Sequence, residues 1–516
     1  MEGSNVILAV ATLVTIAVVL SRKLMPFLLV TKKAANLNLP PGPWRLPVIG
    51  NLHHLGTSPL LFRTLRGLAR KHGPLMMVHL GEVPALVVSS AEAARAVMKT
   101  HDAAFASRFT NATLHTVTYG GTDLVFTPYG DRWRQLRKML VLEMLTAARV
   151  QSFRRVREEE VARFLRGVAA AGGDGAGAVD LSGMISKLGN DTFVRECVGN
   201  RCAYRDEYLD AFHTALRLTS GMTLADLFPS SPIMRLLGSA PRRVLACRHR
   251  MHRVLERVIQ EKKEAVERGE EDKQAVHDTF IGVLLRLQKE GTMPDLLTDD
   301  TIIRLMFDLF AAGSDTSSTT LNWTMTELIR SPAAMAAAQA EVREAFQGKT
   351  TITEDDIAGA RLAYLKLVIK EALRLHAPAP FLIPRLCREA CRVAGYDIPE
   401  GTAVLVNAWA IGRDPEYWDD PEEFKPERFE NSSLDYKGTN FEYLPFGAGR
   451  RMCPGINLGL ANIELALVSL LYHFDWKLPD GMKPQDVDVW EAEGVIASKK
   501  TSLVLHPITR IAPANV

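Results

Sequence analysis

Segments bounded like helices alternate with short strand-like segments along most of the chain. The stretch Leu297 to Pro332 is one: Thr298 is placed to cap its start, Asp299 and Asp300 suit the positive end of the helix dipole, and Ser331 with Pro332 stops it. This predicts one helix of about thirty residues, roughly 48 Å long, enough to cross the molecule. A second is the apolar run Ile456 to Tyr472, and a third spans Leu362 to Leu375. From Val150 to Glu290 the chain reads as mostly helical, with a flexible insert at Ala171 to Gly177 and a solvated charge run from Glu256 to Lys273. Leu75 to Leu80 and Ala85 to Ser89, separated by Gly81 and Pro84, predict a strand pair at the edge of a small sheet, and Ala91 to Thr100 a helix. Gly395 to Asn407 and Thr501 to Leu505 supply further strands, while Phe105 to Pro128, with Gly120 and Gly121, reads as a long loop of functional length. The fold class is mainly α with a smaller β region.

The N-terminus differs in kind. Val6 to Leu20 is apolar and uncharged, and Arg22, Lys23, Lys32 and Lys33 follow it. At the standard helical rise the run covers roughly 22 Å, short for a bilayer core but workable in a thin membrane with snorkelling flanks. A cleaved signal peptide would want a basic start, where this chain has Glu2. The basic flank after the run predicts a retained single-pass anchor with the body on the cytoplasmic side. Leu24 to Val30, interrupted by Pro26, is too short to span and suits a membrane surface. Leu39-Pro-Pro-Gly-Pro-Trp44 cannot continue a helix and forms a stiff spacer. The expected layout is an anchor with its basic flank over residues 1–33, a proline-rich hinge over 34–44, and one catalytic domain over 45–516.

Composition narrows this further. No linker or repeat divides the 516 residues, 47% of them hydrophobic, so one large domain is expected. Six cysteines are too sparse for a disulfide framework and fit a reducing compartment. A net charge of +3, without a basic stripe interleaved with aromatics, excludes nucleic acid as a partner.

The chemistry concentrates in Pro445 to Gly455, Pro-Phe-Gly-Ala-Gly-Arg-Arg-Met-Cys-Pro-Gly, immediately before the apolar run. Backbone N–H groups of a glycine-rich loop before a helix can converge on the Cys453 sulfur and favour the thiolate, the form that binds a metal. Gly447, Gly449 and Gly455 let such a loop approach a flat ligand, and Arg451 offers a guanidinium to an acidic group on it. Haem is a ligand of that shape. Trp133 and Arg137, at i and i+4, share a helical face on which an indole and a guanidinium could hold a carboxylate.

Phe446, Gly449, Arg451, Cys453 and Gly455 match every fixed position of the haem-binding loop of the cytochrome P-450 family, which the chain resembles from Pro40 almost to its end. The resemblance implies a cytochrome P-450 fold, a haem b cofactor with Cys453 as its axial thiolate, and Phe446, Gly449, Arg451 and Gly455 around it. It further implies that Trp133, Arg137, Arg385 and His376 reach the haem propionates. Ala311-Ala-Gly-Ser-Asp-Thr-Ser317 is similar to the family's oxygen-activation motif. There Gly313 leaves room for oxygen, the Thr316 hydroxyl interrupts the helix ladder and donates toward it, and Asp315 relays protons from water. Glu371, Arg374 and Arg428 resemble the family's structural triad. Leu309, Ala312, Gly313, Ala379, Pro380, Leu382, Val495 and Ile496 fall at its substrate-contacting positions, and Leu218 to Pro229 at a variable region over the pocket. Most relatives carry proline where this chain has Ala377.

The implied activity is an NADPH- and O2-dependent monooxygenase of the plant A-type microsomal group, similar to grass enzymes that oxidise sesquiterpene or diterpene olefins in defence metabolism. An aromatic, indole or phenylpropanoid-type substrate is the alternative, and an oxygen-independent isomerase or dehydratase a second, against which Asp315 and Thr316 argue. Gly447-Ala-Gly449 lacks the third glycine and the preceding strand of a dinucleotide motif, so electrons must come from a partner. NADPH-cytochrome P-450 reductase is implied, docking on basic residues such as Arg134, Lys138 and Arg450. Membrane lipid, O2 and a small apolar substrate complete the expected partners, with the endoplasmic reticulum membrane as location.

Overall fold

The computed structural model describes residues 37–56, 60–172, 177–199, 202–220, 222–237, 240–268 and 279–513. The expected anchor, part of the hinge, most of the Ala171 to Gly177 insert and the end of the charge run lie outside them.

Strands β1 (Leu75–Leu80) and β2 (Val83–Val88) are built almost wholly of apolar residues and are buried on both faces. They pair antiparallel from Leu75 with Val88 to Leu80 with Val83, and Gly81 turns between them with φ +64°. Further strands are β3 (Ser107–Arg108), β4 (Val179–Asp180), β5 (Arg385–Leu386), β6 (Cys391–Val393), β7 (Tyr396–Ile398), β8 (Ala403–Val406), β9 (Phe474–Lys477) and β10 (Val504–Thr509). One sheet runs β1-β2-β8-β5-β3, a second β4-β10-β9, and β6 with β7 forms a hairpin. β1 lies at the sheet edge, as expected. β8 lies parallel to β2, with Ala85 opposite Ala403, so residues far apart in sequence share one layer.

The helical body fills the rest. The helices that position the site are α1 (Asp131–Met139), α2 (Leu181–Val198), α3 (Arg205–Ser220), α4 (Asp299–Gly313), α5 (Asp315–Arg330), α6 (Ala363–Leu375) and α7 (Ile456–His473). α7 presents apolar side chains all round and is mostly buried; among the described residues it alone is long and apolar enough to cross a membrane, yet it forms part of the core. Thr298 caps α4 by accepting the Thr301 N–H, as its position predicted.

Two expectations change. The predicted single helix is two: it breaks at Ser314, whose φ −86° and ψ −60° end α4 and start α5. Thr316, Ser318 and Thr320 return hydroxyls to carbonyls four residues back, which loosens the ladder there. The supposed loop from Phe105 to Pro128 contains β3 and a helix at Ala112–Val117. Asn111 caps that helix on the Leu114 N–H at 2.7 Å, and the buried Asp226 carboxylate accepts from Thr113 N and Oγ1.

Candidate functional site

The cysteine loop is shaped by its own backbone. Cys453 N donates to Phe446 O at 3.0 Å and Met452 N to Gly449 O at 3.0 Å. Gly447 and Gly449 sit at φ +69° and +68°, which a side chain would strain. Gly449 is required for a further reason: a Cβ there would meet Met98 O at 2.3 Å and the Asp102 carboxylate at 2.6 Å. Its role is therefore close packing against the chain behind the loop, where the sequence suggested room for a flat ligand. Gly455, with ordinary φ, has open space and only the Cys453 sulfur nearby, at 4.0 Å. The Cys453 surface is exposed, yet burial pushes its thiol pKa up, so that surface opens onto an interior space. The Gly455 N–H on the sulfur and the Arg137 guanidinium pull in the other direction. A cation bound at that sulfur would complete the work of holding it as thiolate.

Four arginines crowd beside it. Arg137 from α1 donates to Met452 O, and Arg385 from β5 donates to Ala448 O at 2.7 Å and to Asp102 at 3.0 Å. Arg451 stacks over the Trp133 ring at 4.4 Å and gives its nitrogens to the carbonyls of Ala106, Val125 and Thr127. Arg108 from β3 donates to Ile383 O, while its Nε is buried without a partner. Burial and then mutual repulsion lower the pKa of Arg108, through Arg385, Arg451 and Arg137, and bring Arg451 down to about 9. Burial also lowers Arg137 and Arg385. Asp102 offsets part of this charge, accepting from Arg385 and Arg450. Such a group of repelling cations with an orphaned donor fits a ligand carrying carboxylates, and beside an inward-facing thiol the donor set fits haem. Arg108 and Asp102 escaped the sequence reading: each is a lone charged residue whose partners lie hundreds of positions away.

The oxygen-activation motif falls at the α4–α5 break. Thr316 Oγ1 donates to Ala312 O at 2.7 Å, the ladder interruption its position suggested. Ala312 is exposed although the run Leu305 to Phe310 before it is buried, so it too faces interior space. The stated reason for Gly313 changes: a Cβ would strike the Phe193 ring of α2 at 1.9 Å, so an aromatic ring already occupies the room the missing side chain leaves. Asp315 lies near Ser314 Oγ at 3.5 Å and His213 Nε2 at 3.6 Å.

The remaining residues sort by location. Leu382 takes φ +54°, strained for leucine, and its Cδ1 lies beside Gly447, at the cysteine loop. Ala379 is partly open, Pro380 is buried with its carbonyl accepting from Trp409, Leu309 is buried in the helical core, and Val495 and Ile496 lie on an open turn. His376 is a correction: its ring stacks on Trp323 at 4.0 Å and its Nε2 lies 2.7 Å from Glu327, so it joins α5 and not the arginine group. The triad assembles as expected. Glu371 accepts two buried bonds from Arg374 at 2.8 Å and a partly buried one from Arg428 at 2.9 Å, and Arg374 ties down the carbonyls of Gly412, Pro421 and Glu423. A cleft of about 420 Å³ near Pro332, Met335 and Trp476 touches none of these residues.

The sequence reading also missed a carboxylate clamp. Asp308 of α4 accepts the N–H groups of Leu124, at 2.6 Å, and Val125, while Asp123 accepts Phe126 N. Both carboxyls have raised pKa values, through burial and, for Asp308, the neighbouring Asp123 charge.

The family model described as cytochrome P450 matches residues 40–505. The chain is 63% identical to dolabradiene monooxygenase and 61% identical to zealexin A1 synthase, both from Zea mays, each over 99% of both chains. It is 55% identical to ent-cassadiene hydroxylase of Oryza sativa subsp. japonica over 100% of this chain and 99% of that one. Among solved structures, a zebra fish cytochrome P450 with progesterone matches with TM-score 0.72 at 24% identity, covering 86% of this chain and 99% of its own, a likeness of fold. With the cysteine loop, the arginine group and the helix break already assembled, these matches place the chain in the cytochrome P450 family, a haem-dependent monooxygenase.

Proposed function

We propose that this monooxygenase inserts one oxygen atom from O2 into a sesquiterpene or diterpene olefin, by hydroxylation, epoxidation or successive oxidation. The observation that carries this is the near-full-length identity of 55–63% to proteins named for dolabradiene, zealexin A1 and ent-cassadiene. The pocket candidates agree in character: Leu309, Ala312, Gly313, Ala379, Pro380, Leu382, Val495 and Ile496 carry no charge or hydrogen-bonding side chain, so shape and apolar contact would select the substrate.

Bound haem supplies dioxygen binding and O–O cleavage, assisted by electron density from a thiolate ligand. The chain's residues do the rest. Cys453 provides the ligand sulfur, and the Gly455 N–H and Arg137 hold its charge. Trp133, Arg137, Arg385 and Arg451, with Arg108, receive the propionates. Asp315 and Thr316 hold and deliver protons at the helix break. Electrons come from a separate redox partner, here NADPH-cytochrome P-450 reductase. Arg134 and Arg450 flank the Tyr129 ring at 5.7 and 5.6 Å and Lys138 is exposed on the same helix as Arg134, which supports a basic docking face. The apolar run at Val6 to Leu20 would hold the enzyme at the endoplasmic reticulum membrane, with its body in the cytosol.

The test is product analysis from membranes holding this chain and a plant reductase, fed terpene olefins and small aromatics with and without NADPH. The expected result is an oxygenated terpene that appears only with NADPH. Turnover of the aromatics alone would move the substrate class, and NADPH-independent rearrangement would replace monooxygenation by isomerisation.

A further inference from the structure

Monooxygenation consumes protons as well as electrons, so a carboxylate that gives up a proton must be reloaded at every turnover. Only 18% of the Asp315 side chain is exposed. Beside it lies a more exposed histidine of another helix. His213 Nε2 of α3 lies 3.6 Å from Asp315 Oδ2, and 43% of the His213 side chain is exposed. The other Asp315 oxygen faces Ser314 Oγ at 3.5 Å.

We propose that His213 is the outer proton relay of this enzyme. The imidazolium passes its Nε2 proton to the Asp315 carboxylate, leaving a neutral ring and a carboxylic acid, and the ring regains a proton from water. No bond other than the N–H and O–H changes, and no redox partner is needed. Histidine is suited to this because its proton exchanges in the range where cytosolic enzymes work. The separation exceeds a direct hydrogen bond by a few tenths of an ångström, and catalytic contacts in resting structures are often long before substrate binds.

Several charged groups on the surrounding elements have other partners. On α3, Asp210 pairs with Arg250 at 3.0 Å and Arg217 donates to Thr214 at 3.2 Å. On α2, Lys187 pairs with Asp191, which also takes Arg205 at 2.7 Å. The Phe212 ring, 5.6 Å from the imidazole, is uncharged. Among the described residues, Asp315 is the carboxylate that pairs with the His213 ring. Nothing in the sequence pointed here, because His213 sits 102 positions before Asp315 on an unrelated helix.

The inference rests on Asp315 as proton donor, and the experiment separates the two. His213→Gln and His213→Arg are compared with the parent and Asp315→Asn in reductase-coupled turnover from pH 6 to 8, with product and peroxide measured. The expected result for both His213 variants is a fall in kcat of about threefold or more at unchanged KM, more peroxide per O2, a larger solvent isotope effect and loss of the parent's decline with rising pH. Arg keeps a positive charge and cannot release a proton, so parent-like behaviour of His213→Arg would make the role electrostatic and overturn the relay. An independent readout is the double variant His213→Gln with Asp315→Asn, whose kcat should fall no further than that of Asp315→Asn alone, and an additive loss overturns the relay. If Asp315→Asn itself couples normally, the failure belongs to Asp315.

Discussion

Gly313→Ala distinguishes two reasons for the glycine at the helix break. The added carbon would lie 1.9, 2.4 and 2.5 Å from Cε2, Cζ and Cδ2 of Phe193, where carbon atoms normally stay 3.5–4.0 Å apart. The ring would have to retreat by about 1.5 Å. It has little freedom to do so, being 1% exposed with the rings of Phe310 at 5.6 Å and Phe280 at 6.1 Å. Overpacking of this kind costs about 1–3 kcal/mol. Replacing glycine by alanine inside a helix returns up to about 1 kcal/mol, and less here, because Gly313 is the last residue of α4. A net loss of about 1–2 kcal/mol is expected from these two effects. Phe193→Leu in the same chain should relieve the clash, so the double variant should be more stable than the two single effects predict by about 1–2 kcal/mol. The assay is the urea midpoint of the haem-loaded protein for all four members of the cycle, compared as midpoints because unfolding of a haem protein need not be two-state. An unchanged midpoint in Gly313→Ala, with additive effects in the cycle, would refute the Phe193 argument. If product coupling fell at the same time without loss of stability, the open space would serve dioxygen after all.

Glu371→Gln should destabilise by about 3–5 kcal/mol, because Arg374 and Arg428 would keep buried charges without their counter-ion; haem-loaded protein recovered at the parental level and midpoint would contradict this. Asp123 and Asp308 carry raised pKa values, so the folded state binds protons that the unfolded state has already released. Stability should therefore decline as pH rises from the ordinary carboxylate range toward the raised values, and Asp123→Asn should flatten that decline in thermal midpoints taken from pH 5 to 8. Curves that stay parallel would remove Asp123 from the linkage. Thr316→Ala frees Ala312 O from its hydroxyl partner and should divert oxygen toward peroxide with less product per NADPH; unchanged coupling would end its assigned role.

What could be read from the sequence was what is contiguous in it. The cysteine loop carries its cysteine, its glycines and its arginines within eleven residues, and Glu371 with Arg374 needs one helical turn. Strands β1 and β2 were legible because an apolar run, a tight turn and a second run determine each other locally. The break at Ser314 was not, since it depends on four hydroxyls competing with the helix ladder together with the press of Phe193 from α2. The reason for Gly449 was misread on the same account: its neighbours Met98 and Asp102 come from about 350 positions earlier. His376 is held by Trp323 and Glu327 of α5, which no local pattern announces.

The missed residues share a consequence for how the two halves of the site are kept in register. Val125 donates its N–H to Asp308 of α4 at 3.3 Å and accepts Arg451 of the cysteine loop on its carbonyl at 3.1 Å. A single residue of the Phe105 to Pro128 segment is therefore bonded to α4 on one side and to the cysteine loop on the other. Leu124 and Thr127 reinforce each side, through Asp308 and Arg451 respectively. A substrate that displaces this segment must move it against both anchors together, because interior packing leaves little room for either to yield alone. Pocket shape, helix position and cysteine-loop position are in this way bound into one unit, and the charged residues that bind them are ones whose partners lie 184 and 326 positions distant along the chain.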